Sequence, residues 1–272
     1  MKPFTFDDIS EYLSPDLVPE SVLSSSLLKH YKQWSKEGVI YIPNAIPNHL
    51  MKEYERVWQK ENANRVGGWP ICTPYMGHNE IKDLALHKPL TAVMAGIIGE
   101  PVGLHLNLTG WVSTERKWHQ DSYLNPPNVG EYYIAAWVAL EAIHPDSGPF
   151  EYVPGSHNWP VIRRDKLFQF CPPELINDHR WPSLTQDAVA KAIEDEMALR
   201  RAEVRTYLPK RGDVLLWHSS LVHRGSKPNV PGMPRRAFIA HYSGINHRPD
   251  FPSAVQHTNG SYYFPIKEQT GV

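Results

Sequence analysis

Residues 211–242, R-G-D-V-L-L-W-H-S-S-L-V-H-R-G-S-K-P-N-V-P-G-M-P-R-R-A-F-I-A-H-Y, contain two short apolar runs separated by a turn-rich stretch. Asp213–Trp217 and Ala237–Ala240 have the length and composition of buried strands, and glycine, proline and asparagine residues lie between them. This stretch predicts two strands of a β-rich domain.

Further strands are predicted upstream, from about residue 101. Residues 104–109, L-H-L-N-L-T, alternate between apolar and polar types, which is typical of a strand with two different faces. Three polar side chains, those of His105, Asn107 and Thr109, are expected on one face. Tyr132–Leu140 is a nearly continuous apolar strand. Several short strands in series predict a sandwich of sheets.

The first 100 residues favour helices that flank this sandwich, because apolar residues recur there at helical spacing and stop at glycines. The predicted helices are Ser21–Glu37, Pro47–Asn62 and Pro89–Ile98, and Val39–Pro43 is predicted as a short strand.

A long insertion interrupts the strands at about residues 158–210. It combines a proline-rich loop with a helix-favouring run, Asp187–Ala202. Long insertions of this kind often cover a site, but a solvated helix packed on the outside is an equally good interpretation. We therefore predict one domain over residues 1–272, with a helical flank at about 1–100 and a β core at about 101–250.

Composition excludes several classes of protein. Apolar residues make up 41% of the chain and charged residues 21%, as in a globular protein with a full core. A net charge of −1 predicts binding to neither nucleic acid nor an anionic membrane surface. The chain begins without the apolar core of a signal peptide and has only two cysteines, so we expect a cytoplasmic protein. We expect it to be a monomer or a homodimer.

The stretch K-W-H-Q-D-S-Y-L, residues 117–124, places His119 and Asp121 two residues apart between aromatic neighbours. A partly dehydrated carboxylate usually has a strong partner such as a metal. On a strand these two side chains would share a face while Gln120 points away. Two histidines and one carboxylate form the facial iron site of non-haem oxygenases, so a second histidine is needed.

Two histidines downstream are candidates for the third ligand. His218 and His223 are five positions apart and would face opposite ways on one uninterrupted strand. His223 lies at the polar end of the apolar run, beside a turn, whereas His218 follows Trp217 and is better explained as a hydrogen-bonded core histidine. We therefore predict His223 as the ligand.

Four ordered segments resemble the phytanoyl-CoA dioxygenase family of iron(II)- and 2-oxoglutarate-dependent oxygenases. They are W-H-Q-D-S-Y, A-A-W-V-A-L-E, S-G-P-F-E-Y-V-P-G-S-H, and R-G-D-V-L-L-W-H-S-S-L-V-H-R-G-S with the R-R-A that follows. The resemblance extends from about residue 30 to residue 245. It implies a fold that is mainly β with flanking helices, a double-stranded β-helix or jelly roll, with Fe(II) bound by His119, Asp121 and His223.

The resemblance also implies residues that bind the cosubstrate 2-oxoglutarate. An arginine about a dozen residues after the second histidine pairs with its far carboxylate, and Arg235 fits the R-R-A pattern. This chain has H-R-G-S where many relatives have H-G-S. The extra residue shifts the spacing between the histidine and the arginine by one, so Arg236 remains an alternative. Trp137 matches a tryptophan near the cosubstrate, although a core role is also open. Weaker assignments to the cosubstrate site are Asn107, Thr109 and Ser226, and a turn-stabilising hydroxyl is the alternative for Ser226.

Aromatic, thiol and imidazole side chains near these segments are candidates for the substrate pocket, and each also has a structural alternative. These candidates are Tyr123, Trp111, His105, Cys72, Tyr75 and His78.

The resemblance implies a reaction in which O2 and 2-oxoglutarate are consumed, succinate and CO2 are released, and an unactivated C–H bond of a small molecule is oxidised. Hydroxylation is the expected outcome, and desaturation, ring formation or oxidative N-dealkylation are alternatives. The carboxylate at position 121 argues against halogenation, because related halogenases have a small residue there. Two other classes remain open: a redox-inactive metal-dependent isomerase or hydrolase, and a ligand-binding module. We expect a small metabolite or natural-product intermediate as substrate.

Overall fold

The computed structural model describes residues 1–13, 23–63, 68–127 and 129–266. Helices precede most strands along the chain, as predicted, and residues 21–22 of the first predicted helix lie outside the described residues. The helices are α1 Phe6–Ile9, α2 Ser25–Glu37, α3 Asn48–Glu61, α4 Asn79–Ala85, α5 Lys88–Ile98, α6 Arg164–Phe168, α7 Pro173–Ile176 and α8 Trp181–Arg200. The strands are β1 Ser10–Glu11, β2 Val39–Ile42, β3 Val102–Gly110, β4 Tyr133–Ala139, β5 Phe150–Tyr152, β6 Val161–Ile162, β7 Arg205–Tyr207, β8 Val214–His218, β9 His223–Gly225, β10 Ala237–Gly244, β11 Val255–Gln256 and β12 Tyr262–Tyr263.

Two sheets form the β core. The larger has seven strands in the order β11-β12-β3-β10-β4-β8-β2, and the smaller has three in the order β7-β5-β9. Side chains from both sheets meet in one buried cluster, where the Phe150 ring lies 5.2 Å from the Trp217 ring. The predicted fold, mainly β with flanking helices and two facing sheets, is confirmed.

The two faces of the large sheet have different partners, because successive side chains of a strand point to opposite faces. On β10, Phe238 and Tyr242 belong to the core shared with the flanking helices α2–α5. Ala237 and Ile239 instead pack into the cluster between the sheets, on what we call the inner face. By the same alternation His241 lies on the inner face, which is therefore the face that carries the site.

A β-bulge interrupts strand β3 at His105. His241 pairs with Leu106 and Tyr242 pairs with Leu104, so His105 has no partner in the ladder. The prediction that His105 and Asn107 share a face is therefore wrong. Asn107 pairs with Ala240 of the helix-side core, whereas the His105 ring lies 5.7 Å from the Tyr133 ring on the inner face. Alternation in the sequence cannot reveal a bulge, because the extra residue is defined only by the partner strand.

The insertion packs beside the site. Val189 and Ile193 of α8 are fully buried in a third cluster that includes Phe6 of α1 and Tyr123, which lies two residues after Asp121. Helix α8 begins at Trp181, six residues before the predicted run. The insertion thus forms a packed layer against the site loop, and its role as a cover stays a prediction. Within the described ranges, no helix combines the length and the apolar character needed to cross a bilayer.

Candidate metal centre

Backbone contacts between the loop after β3 and the turn before β9 bring the predicted ligands together. His119 and His223 form an isolated antiparallel bridge, with N···O distances of 3.1 and 3.0 Å. The Asp121 N–H then donates to the Ser219 carbonyl at 2.7 Å. Asp121 has helical backbone angles, φ −79° and ψ −20°. The expectation that His119 and Asp121 lie on a regular strand is therefore wrong, since the chain turns directly after the bridge.

The three side chains nevertheless converge as the sequence predicts. One ligand atom from each of His119, Asp121 and His223 lies within 4.8 Å of the other two. The His119 Nε2 atom is 3.5 Å from Asp121 Oδ1, and the His223 Nε2 atom is 3.8 Å from Asp121 Oδ2. All three residues are buried. Gln120 points away, because its Oε1 atom accepts a hydrogen bond from the Ile162 N–H.

The hydrogen bonds of the two imidazoles fit a metal at this point. The His119 Nδ1 atom lies 2.7 Å from the Lys117 carbonyl, and the His223 Nδ1 atom lies 2.9 Å from the Leu221 carbonyl. A carbonyl only accepts, so each Nδ1 carries the proton and each Nε2 presents its lone pair toward Asp121. Such orientation by a backbone carbonyl is typical of metal-binding histidines.

The charge states also fit a metal. Burial lowers the pKa of His223 to about 3, and the neighbouring His119 adds to this effect. Burial opposes ionisation of Asp121, but the interactions with His223 and His119 outweigh it and hold the pKa of this carboxyl well below its usual range. The cluster therefore offers a carboxylate and a neutral imidazole near pH 7, which are the protonation states in which these groups bind metals.

Two residues that the sequence did not identify orient Asp121. The Trp217 Nε1–H donates to Asp121 Oδ2 at 3.0 Å, and the Tyr133 hydroxyl donates to the same oxygen at 3.3 Å. Both side chains lie on the inner face, on strands β8 and β4. No local pattern marks them, because each reaches Asp121 only across the space between the sheets.

We expect Trp217→Phe to weaken iron(II) binding. The change keeps an aromatic ring but removes the N–H that fixes Asp121, and loss of such an outer partner typically costs about 10- to 100-fold in metal affinity. Anaerobic iron(II) titration measures the effect. Trp181→Phe, in the inserted helix, is the matched control, and an affinity equal to that of the unaltered protein would contradict the role of the indole.

His218 lies outside the triad, as predicted. Its Nε2 atom is 2.5 Å from Glu131 Oε2, and its Nδ1 atom accepts from the Ser220 N–H at 3.0 Å. It ends β8 in the large sheet, whereas His223 begins β9 in the small sheet. The two histidines are thus separated by a turn between sheets rather than by the pleat of one strand.

The two adjacent arginines lie in different environments. Arg235 is 2% exposed, and its guanidinium donates to the Gly148 carbonyl at 2.9 Å and lies 5.9 Å from the Trp137 ring. The Arg236 side chain is 43% exposed and its Nε atom lies 3.5 Å from Glu141 Oε2. Only Arg235 thus reaches the space between the sheets.

Arg235 is a buried cation whose surroundings leave it incompletely paired. Burial lowers its pKa to about 10, and its Nε atom has no hydrogen-bond partner. Among the described residues, none forms an ion pair with it. A Cβ atom added to Gly225 would lie 3.3 Å from the guanidinium, so the glycine leaves room beside it. Gly225 is two residues from His223, on the same side of β9.

The remaining cosubstrate candidates have protein partners of their own. Trp137 is buried between the sheets. The Asn107 amide donates to the Ile239 carbonyl at 3.0 Å, while its Oδ1 atom has no partner. The Ser226 hydroxyl donates to the Pro149 carbonyl at 2.8 Å, a contact between segments far apart in the chain rather than within a turn. The side chain of Thr109 lies outside the described part of the structure.

The substrate-pocket candidates are divided between two regions. His105 lies beside Tyr133, which donates to Asp121, whereas Tyr123 follows Asp121 by two residues and packs in the cluster with the insertion. The structure does not bring the others to the triad: the rings of Trp111, Tyr75 and His78 pack against Trp58, Tyr263 and Trp69 respectively, and Cys72 is buried beside β3, where its carbonyl accepts the Asn107 N–H. These aromatic contacts belong to the core shared with the helical flank, which covers the face of the large sheet opposite the inner face.

Comparisons with known proteins agree with this geometry. The family model for phytanoyl-CoA dioxygenase (PhyH) matches residues 36–237. Among curated protein sequences, none matches the chain significantly.

Solved structures with the same fold include iron- and 2-oxoglutarate-bound proteins. One is EctD from S. alaskensis with bound Fe, at a TM-score of 0.63 and 16% identity, covering 96% of this chain and 90% of that one. Another is the epimerase SnoN from nogalamycin biosynthesis in complex with Fe3+, alpha ketoglutarate and nogalamycin RO. Its TM-score is 0.61 at 17% identity, and the match covers 91% of this chain and 96% of that one. A third is the carbocyclase SnoK from the same biosynthesis, with a TM-score of 0.56 at 17% identity, covering 85% of this chain and 88% of that one. The predicted jelly-roll fold is confirmed.

Proposed function

This chain belongs to the phytanoyl-CoA dioxygenase family of non-haem iron(II)- and 2-oxoglutarate-dependent dioxygenases, and on that premise we propose that it oxidises an unactivated C–H bond of a small metabolite or natural-product intermediate. Its cofactor is iron, and its cosubstrates are 2-oxoglutarate and O2. Hydroxylation is the proposed outcome. The neighbouring folds are described as an epimerase and a carbocyclase as well as EctD, so the fold does not specify the outcome.

His119, Asp121 and His223 would hold the iron. The observation that carries this assignment is the convergence of two carbonyl-oriented Nε2 atoms and one carboxylate within 4.8 Å at a buried point. Bound iron would supply the oxidising chemistry, in which O2 is consumed and 2-oxoglutarate is converted to succinate and CO2 as the substrate is oxidised. Trp217 and Tyr133 keep the carboxylate oriented, and the surrounding cluster of buried aromatic residues excludes water.

Arg235 would bind the far carboxylate of 2-oxoglutarate. A buried guanidinium without an acidic partner is costly, and a carboxylate ligand would offset that cost through charge-assisted hydrogen bonds. The exposure of Arg236 and its pairing with Glu141 favour Arg235 over its neighbour. Trp137 would form the wall behind the cosubstrate, because its ring lies beside the Arg235 guanidinium. Asn107, Thr109 and Ser226 remain weaker proposals.

Anaerobic titration with iron(II) and then 2-oxoglutarate tests the proposal. We expect a weak visible charge-transfer band that appears only when both are present, and O2 admission should then produce succinate. Zinc in place of iron is the control and should give no band. Iron binding without a band would favour a redox-inactive metal enzyme, and failure to bind iron would favour a ligand-binding module. Either result would overturn the proposed function.

A further inference from the structure

We propose that His105 and His241 form a subsite that accepts hydrogen bonds from an uncharged, hydroxylated part of the substrate. The inference rests on the proposed function, because the subsite adjoins the proposed iron site. It specifies the class of substrate, which the fold does not.

The two imidazoles lie together on the inner face, beside Asp121. Their ring centroids are 6.4 Å apart, and both rings lie within 6 Å of the Tyr133 ring, at 5.7 and 5.8 Å. The His241 Nδ1 atom is 4.0 Å from Asp121 Oδ2. His105 reaches this position because the bulge in β3 turns it away from the ladder. Arg235 lies two residues before β10 begins, whereas His241 lies in the second half of the strand. The proposed anchor for the cosubstrate carboxylate and this subsite are therefore separated along β10.

Each histidine has one buried nitrogen without a partner. His105 is 6% exposed and His241 is 8% exposed, and in both the Nε2 atom makes no hydrogen bond. An unsatisfied buried polar atom costs about 1–3 kcal/mol. Two such atoms on neighbouring rings, next to a proposed metal site, indicate that a ligand satisfies them.

The available protons make both atoms acceptors. The Tyr133 hydroxyl has one proton, which it donates to the Asp121 carboxylate. Its oxygen also contacts His241 Nδ1, which must therefore be the donor, and this leaves a lone pair on His241 Nε2. The Nδ1–H of His105 donates to the backbone of Tyr242, and in a neutral ring this likewise leaves a lone pair on Nε2.

The charges nearby favour an uncharged donor. Arg248 is 7% exposed, pairs with Asp250 at 2.8 Å and donates to Asn125 Oδ1 at 3.0 Å, so its charge is balanced. Iron(II), Asp121, 2-oxoglutarate and Arg235 would together carry no net charge, so no anion is left to pair with an ammonium group, and burying an unpaired charge is costly. The Phe251 ring, 5.6 Å from the His105 ring, supplies an apolar wall. Hydroxyl groups on a carbon skeleton satisfy these conditions together.

Nitrogen NMR of the metal-free protein labelled with ¹⁵N-histidine tests the subsite without any turnover. The probes are cis-cyclohexane-1,2-diol and methyl α-glucoside, which have hydroxyl donors. The control is 1,2-dimethoxycyclohexane, which has the same carbon ring but only accepts hydrogen bonds. Loss of one signal in His105→Gln and in His241→Gln assigns the resonances. His157 is the internal control, because its Nδ1 atom is also buried without a hydrogen-bond partner and lies beside Gly38 rather than at the subsite.

We expect unprotonated Nε2 signals from His105 and His241 that shift with at least one hydroxylated probe but not with the dimethoxy compound, while the His157 signal does not move. His241→Phe should weaken binding of that probe by about five- to ten-fold, the effect of one neutral hydrogen bond. A protonated Nε2 on either residue, no shift with either hydroxylated probe, or an equal shift with the dimethoxy compound would overturn the subsite.

The two proposals can fail separately. If the charge-transfer band forms but the histidine signals do not respond, the subsite is wrong and the oxygenase function stands. If the band does not form, the oxygenase function fails whatever the histidine signals show.

Discussion

Replacement of Asp121 by alanine is expected to abolish 2-oxoglutarate turnover while the protein still folds. The carboxylate is the one anionic group of the triad, and it fixes the point toward which both imidazole Nε2 atoms face. Loss of an outer partner of a ligand costs up to about 100-fold, so loss of a ligand itself should lower succinate formation by more than about 100-fold. Succinate release and anaerobic iron(II) titration measure the two consequences.

The Asp121→Ala variant must also be checked for folding. Alanine leaves two buried donors, Trp217 Nε1–H and the Tyr133 hydroxyl, without their acceptor. Each unsatisfied donor costs about 1–3 kcal/mol of folding free energy. Asp121→Asn retains an oxygen for these donors and should be as inactive as the alanine variant. Asp187→Ala, at an exposed position, controls for the handling of a variant protein. An Asp121→Ala protein that produces succinate at the native rate would reject the iron site.

Arg235→Ala should raise the apparent KM for 2-oxoglutarate by ~10- to 150-fold. This range corresponds to the 1.5–3 kcal/mol typical of a hydrogen bond to a charged group. The expectation follows from a guanidinium that is 2% exposed, lacks an acidic partner among the described residues, and lies between the two sheets beside Trp137. Initial rates of succinate formation over a range of 2-oxoglutarate concentrations provide the measurement.

Arg236→Ala is the matched control, because it removes the same side chain one residue along the chain. Its guanidinium pairs with Glu141 at the surface, and exposed pairs contribute about 0–1 kcal/mol to stability, so the KM for 2-oxoglutarate should stay within about two-fold. The reverse ranking of the two variants would transfer the cosubstrate contact to Arg236. Arg235→Lys adds a test of geometry, since a lysine keeps the charge but loses the bidentate fork.

Sequence patterns predicted most of the strands and flanking helices, because apolar periodicity reflects which face of an element is buried. The apolar run predicts a strand at 237–240, yet β10 continues to Gly244 and carries His241 into the site. Apolar patterning does not predict this extension, because the polar residues His241 and Ser243 interrupt the run. They are tolerated there because the inner face at this end surrounds the proposed site rather than an apolar core.

The sequence by itself determined the chemistry of this protein: His119, Asp121 and His223 could be proposed as one metal site from residue type, order and neighbouring motifs. Tertiary structure alone decided which partners those groups have. The bridge between His119 and His223, the donors to Asp121, the burial of Arg235 and the bulge at His105 all depend on contacts between residues far apart in the chain. Local periodicity records only whether a residue faces a core or solvent, and the register of neighbouring strands determines what it meets there.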